Sequence, residues 1–123
     1  MTEGSPRYKF PRRLRLLSAR DYARVFRESQ KSSSRAVTVL ARPSGLEWPR
    51  LGLAISRKHI RRSTQRNRIK RLVRESFRRH QELLKGLDVV VIGRGRLAGK
   101  ASHTVFQCLE SHWHRISELC PRA

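Results

Sequence analysis

Between Thr64 and Lys85 the apolar residues Ile69, Leu72, Val73, Phe77 and Leu84 fall within about a third of a helical wheel at roughly 100° per residue. A helix is required there, and it has one face to bury. Opposite that stripe stand Arg71, Arg74 and Arg78, and from Arg50 to Arg79 twelve basic residues face a single acid, Glu75. Solvated helix faces usually mix signs, because like charges at i, i+4 repel. The chain must therefore supply a core that holds the helix from behind and a partner that accepts its charge in front.

Composition identifies that partner's class. Lys and Arg number 29 and Asp and Glu 9, a net charge of +20 in 123 residues. A charge of this size opposes compaction unless a polyanion relieves it, which points to nucleic acid. A membrane-surface protein needs a spare apolar helix face, and none is evident. No apolar run approaches membrane-spanning length, and Met1 to Arg13 carries charges and prolines where a signal peptide has its apolar segment, so a cytoplasmic protein is expected. Cys108 and Cys120 make no disulfide framework and are read as reduced thiols.

The length suits one α+β domain over residues 17–120, preceded by a basic arm over 1–16 and followed by a short tail over 121–123. The arm carries Arg7, Lys9, Arg12, Arg13 and Arg15 among Pro6 and Pro11, which resist helix. Ser18 with Asp21 three residues on reads as a helix N-cap, with Leu17 and Tyr22 as a hydrophobic staple, opening a helix over about 18–28. Tyr22, Val25 and Phe26 share its apolar face. Residues 30–34 read as a polar connection. Strands follow at 36–42 and 50–56, expected to pair as a hairpin around Pro43, Gly45 and Pro49. The small residues Gly52, Ala54 and Ser56 leave a shallow sheet face, suited either to a closely approaching base or to packing under a helix. Gly86 suits a left-handed C-cap, Val89 to Ile92 a buried central strand at 88–94, residues 93–101 a flexible basic loop, and Val105, Leu109, Trp113 and Ile116 a last helix over about 102–119. The order is α-β-β-α-β-α, one sheet with helices on it.

Arginine outnumbers lysine in the basic segment, and its planar fork suits bidentate phosphate contact and base stacking. DNA is a rival, but no helix-turn-helix pair, basic zipper or zinc finger is visible, which favours RNA. Three other patterns carry less. In Gly93 to Lys100 a phosphate-binding loop fails on spacing, because Arg94 stands at the required first glycine and Ala101 at the Ser/Thr position. Cys108, His112 and Cys120, with His103 and His114 nearby, lack the paired spacing of a zinc site. His80 with Ser76 lacks an orienting acid, so no catalytic residue is assigned.

The segment Arg66-Asn67-Arg68-Ile69-Lys70-Arg71-Leu72-Val73-Arg74-Glu75-Ser76-Phe77-Arg78 resembles the signature helix of the bacterial ribonuclease P protein family. The resemblance continues through Phe10-Pro11-Arg12, Arg15-Leu16, Asp21-Tyr22, Val25-Phe26, Arg50-Leu51-Gly52-Leu53, Arg57-Lys58 and Asp88-Val89-Val90-Val91, in order along nearly the whole chain. It implies a two-layer αβββαβα sandwich with a left-handed βαβ crossover, similar to a ribosomal-protein domain, and so one strand more than periodicity reveals. It implies a subunit that binds a large catalytic RNA and assists that RNA in removing the 5′ leader of precursor tRNA. Chemistry then belongs to Mg2+ held mainly by the RNA, with no organic cofactor and no obligate protein partner. The catalytic RNA is expected on Arg61, Arg62, Arg66 and Asn67, continuing along Arg68, Lys70, Arg71 and Arg74. The leader is expected in a cleft of Tyr22, Phe26, Val37, Val39, Arg57 and Lys58, where the rings stack on bases and the cations attract phosphate. Core packing is the competing reading for both rings. Val37 and Val39 stand on the first strand where some relatives carry an aromatic, so one stacking contact is missing.

Two other classes remain at this point: a ribosomal or chaperone-type RNA-binding protein, which explains the charge equally well, and an independent nuclease, which the scattered acids disfavour.

Overall fold

The computed structural model describes residues 11–16 and 18–122. Most of the expected arm and the staple residue Leu17 lie outside the described residues. Helix α1 (Ala19–Arg27) leads into β1 (Gln30–Ser33), β2 (Val37–Pro43) and β3 (Arg50–Ala54). Then come α2 (Ser63–Arg79), α3 (Gln81–Leu84), β4 (Leu87–Gly93), α4 (Gly95–Ala98) and α5 (Ser102–Leu119). Ser18 caps α1 as its sequence requires, its Oγ accepting from the Asp21 amide at 3.1 Å.

The sheet has four strands in the order β1-β2-β4-β3. Two expectations need correction here. Residues 30–34 are no mere connection, since Gln30–Ser33 pairs antiparallel with β2. The strand is hard to see because its buried inward residue is Ser32, whose polarity hides the alternation. Nor do the strands 36–42 and 50–56 form a hairpin. β4 lies between them, antiparallel to β2 and parallel to β3. Val89, Val90 and Val91 are apolar toward both sheet faces, so β4 takes the doubly covered central position.

Val37, Val39, Ala41, Leu51, Val89 and Val91 face α2 and α5 and form the main core with Ile69, Val73, Phe77, Leu109 and Trp113. Leu40 and Val90 face the other way and meet Val25 of α1, with Leu16 completing this smaller cluster. The helix α2 is fixed to α5 by Trp113, which packs edge-on against Phe77 with ring centroids 5.9 Å apart and donates to Ser76 Oγ at 2.8 Å. Ser76 is therefore a structural hydroxyl. The expected single helix over 64–85 breaks at His80. Its ring Nδ1 donates to the Ser76 carbonyl at 2.7 Å, which displaces the His80 amide onto Phe77 O at 3.0 Å. Gly86 takes φ +81°, the left-handed turn that its position demands.

His112 anchors the edge strand to α5 through Ser32 Oγ at 2.6 Å and Ser34 Oγ at 3.2 Å. Burial, helped by Arg115, lowers its pKa from the ordinary value of 6.5. Below pH 6.5 the unfolded imidazole takes up a proton that the buried one resists, so stability is full above that pH and declines below it. Thermal melts from pH 7.5 to 5 are expected to show this decline, and His112→Gln should flatten it. An unchanged pH slope in the variant would rule the imidazole out.

Candidate nucleic-acid interface

The turn between β3 and α2 is held from inside. Ile60 is buried, and Arg66 reaches back to the carbonyls of Ile60 at 2.9 Å and Arg61 at 2.8 Å. Arg68 reaches the other way, donating to Lys100 O at 2.7 Å and Ser102 Oγ at 3.2 Å, which ties α2 to the start of α5. Two arginines assigned to RNA contact from sequence thus also build the scaffold. Arg61, Arg62, Asn67 and Arg71 are exposed around them. The first turn of α2 carries no acid and its N-cap no side-chain bond, so the positive end of the helix dipole adds to the field.

Farther along, the array is not uniformly free. Glu75 accepts from Arg78 at 2.7 Å and Arg79 at 3.0 Å, and these bonds hold its carboxyl pKa low against the opposing effect of burial. Arg50 belongs to a different structure altogether. It grips buried Asp88 with two 2.8 Å bonds and approaches Asp21 at 3.4 Å, joining β3, β4 and α1. The outward cationic face therefore runs from Arg61 to Arg74.

At the inner border of that face, Arg15, Lys70 and Arg74 line a cavity of about 180 Å³ with Leu16, Tyr22, Leu51 and Leu53. Burial and the nearby Arg15 charge lower the pKa of Arg74, so an anion here relieves repulsion between cations. Sequence periodicity places Arg74 opposite the core stripe but gives no hint of Arg15, which the strand-like bridge Arg15 to Leu51 brings alongside.

The second expected site is only partly assembled. Tyr22 is pinned: its hydroxyl accepts from the Leu53 amide at 3.2 Å, and its ring covers Gly52 so closely that a Cβ there would lie 2.6 Å from Cε1. The shallow strip at Gly52 is thus packed under a helix-borne ring. Phe26, by contrast, is 51% exposed and available to stack. Val37 and Val39 do not line a cleft. They point into the α2/α5 core and are fully buried, because the β2 residues facing α1 are Thr38 and Leu40. Arg57 and Lys58 are exposed on the turn after β3. A residue that sequence reasoning left in an unspecific loop, Arg94, donates to Thr38 Oγ1 at 3.0 Å on the α1 side of the sheet. The loop itself is anchored rather than loose, since it contains α4 with Leu97 fully buried.

Of Cys108, His112 and Cys120, whose spacing does not suit zinc, the last two have other partners. His112 lies between two serines, and the buried Cys120 thiol, its pKa raised by burial, donates to Ala41 O at 3.5 Å. Among the described residues no helix is long and apolar enough to cross a membrane.

A four-stranded α+β module whose core backs a helix face without acids from Arg61 to Arg74, and which exposes an aromatic on α1, is the build of a protein that docks on a polyanion. Residues 10–117 match the family described as Ribonuclease P. Relatives agree along most of the chain. The "Ribonuclease P protein component" of Methylococcus capsulatus is 48% identical, the alignment covering 92% of this chain and 88% of the relative. That of Nitrosococcus oceani is 42% identical, covering 92% and 95%. The solved RNase P protein of Thermotoga maritima superposes with a TM-score of 0.76 at 37% identity, over 83% of this chain and 99% of that one. The chain belongs to the ribonuclease P protein family.

Proposed function

We propose that the chain acts in the cytoplasm as the RNA-docking subunit of ribonuclease P, binding the catalytic RNA through the α2 face and the 5′ leader of precursor tRNA beside α1. The carrying observation is the face from Arg61 to Arg74: it has no acid and is fixed from behind by Ile69, Val73 and Phe77. Arg61, Arg62 and Arg71 are exposed for phosphate oxygens, and the cavity of Arg15, Lys70 and Arg74 has room for one phosphate group. Arg66 and Arg68 hold the surrounding loops in place and contribute charge from fixed positions.

The leader is single-stranded, so contact independent of base identity is appropriate, and stacking on Phe26 supplies it. Arg57, Lys58 and Arg94 provide the accompanying cations. Mg2+ chemistry fits the RNA better than this chain. Asp21 and Asp88 are committed to Arg50, and Glu75 to Arg78 and Arg79, so these carboxylates are unavailable as paired metal ligands. The protein's part is to neutralise phosphates and hold substrate.

Added to its catalytic RNA at low Mg2+, the protein is expected to raise cleavage of precursor tRNA, whereas a ribosomal or chaperone-type protein gives no gain. Phe26→Ala should reduce the preference for precursor over mature tRNA by about 1–3 kcal/mol, the worth of one stacked base. Equal weakening for both tRNAs would refute the leader assignment.

A further inference from the structure

Helix α1 covers the sheet face opposite the one packed on α2 and α5, with Val25 buried against Leu40 and Val90. Its outer side carries a stripe that neither RNA surface described above uses. Arg20, Arg24 and Arg27 are exposed and fall within about 60° of the helical wheel, on the side away from Val25 and Tyr22. Among the described residues none of these three guanidiniums has a hydrogen-bond, ion-pair or ring partner. The neighbouring acids are engaged elsewhere, Asp21 by Arg50 at 3.4 Å and Glu28 by Arg42 at 3.7 Å.

Helix stability does not account for the stripe. Like charges at i, i+4 repel, and although the helix dipole favours Arg24 and Arg27 in the last turn, it opposes Arg20 in the first. From Arg20 to Arg27 the helix rises about 10 Å, a length over which one nucleic-acid strand carries about three phosphates at about 3.4 Å each. Phe26, 51% exposed, flanks the stripe across the small exposed Ala23. A cationic track beside an exposed ring suits a single strand, whose unstacked bases reach the ring while its phosphates follow the charges. A duplex keeps its bases stacked inside and leaves such a ring unused. Because α2 lies on the opposite face of the sheet, a strand that passes Phe26 onto the outer side of α1 leads away from the catalytic RNA.

We propose that Arg20, Arg24 and Arg27 bind the phosphates of leader nucleotides farther from the cleavage site than the base stacked on Phe26. The inference rests on the leader reading above and extends it to a second stretch of the same strand, so that affinity for precursor tRNA grows with leader length.

Protein assembled with its catalytic RNA is tested for binding to mature tRNA and to precursors whose leaders lengthen one nucleotide at a time. Affinity of the unaltered protein should rise with length and then level off. Arg20→Ala/Arg24→Ala/Arg27→Ala should level off earlier, losing about tenfold for the longest leaders, as three exposed charge contacts are worth, with a salt slope lower by about 2. Binding of the shortest leaders and of mature tRNA should not change. Arg35→Ala/Lys85→Ala/Arg115→Ala, which removes equal charge from exposed positions elsewhere, should keep the full length dependence. The thermal midpoint of the α1 variant should be no lower than that of the unaltered protein, since its loss removes only repulsion. A lowered midpoint, or equal weakening for mature tRNA and every leader length, overturns the proposal. Phe26→Ala tests the underlying reading separately. If it lowers the preference for precursor while the α1 variant keeps the full length dependence, the stripe is excluded and the leader reading stands; if Phe26→Ala has no effect, both fall.

Discussion

Arg50→Ala is expected to destabilise the fold by about 3–5 kcal/mol, the cost of leaving a buried carboxylate without its partner. Asp88 is buried in the central strand and receives both of its 2.8 Å bonds from this one guanidinium. The hydrogen bonds to Asp88 are the main cause of a raised Arg50 pKa, outweighing the opposing effect of burial. The same side chain approaches Asp21 at 3.4 Å, so its loss also loosens the tie between β3 and α1. Denaturant unfolding measures the effect. The double variant Arg50→Ala/Asp88→Ala should recover part of the loss, because it removes the orphaned charge along with its partner. A single-variant loss below about 1 kcal/mol would show Asp88 to be solvated after all.

Much of this architecture is legible in the residues, for identifiable reasons. The helices α2 and α5 are evident because most of their buried positions are apolar at a clean helical period, and α1 because Ser18 and Asp21 mark its start. The central strand is evident because Val89 to Val91 permits little else. Pairing is less legible. The β2–β3 hairpin looks natural from a short turn-rich connection, yet β4 inserts between the two strands through contacts that no local pattern encodes. Strand β1 escapes notice because its buried residue is a serine held by His112, 80 positions away.

The candidate interface divides along the same line. Charge, helix and family signature single out Arg61, Arg62 and Arg71, and all three are exposed, two just before α2 and one on it. Spacing does not reveal that Arg66 and Arg68 hold carbonyls, that Arg50 is internally neutralised, or that Arg15 joins Lys70 and Arg74. Apart from the Arg66 contacts, which reach back five and six residues, each depends on a long-range contact. Val37 and Val39 turn to the α2/α5 core rather than to a cleft, because strand alternation fixes which residues share a side but not which side is covered.

The largest functional effect is expected from Arg61→Ala/Arg62→Ala/Arg71→Ala. Three charge-assisted phosphate contacts at about 1 kcal/mol or more each amount to roughly a hundredfold loss of affinity for the catalytic RNA. Each contact also releases condensed counterions, so their removal lowers the dependence of log K on log salt concentration by about 2–3. Arg35→Ala/Lys85→Ala/Arg115→Ala removes the same net charge from exposed positions outside α2 and serves as the comparison. The deciding measurement is therefore the salt dependence of binding to the catalytic RNA for these two triple variants beside the unaltered protein. A reduced slope in the α2 variant alone is the predicted result, and equal reductions in both would mean that overall charge, rather than a helix held in place by its core, binds the RNA.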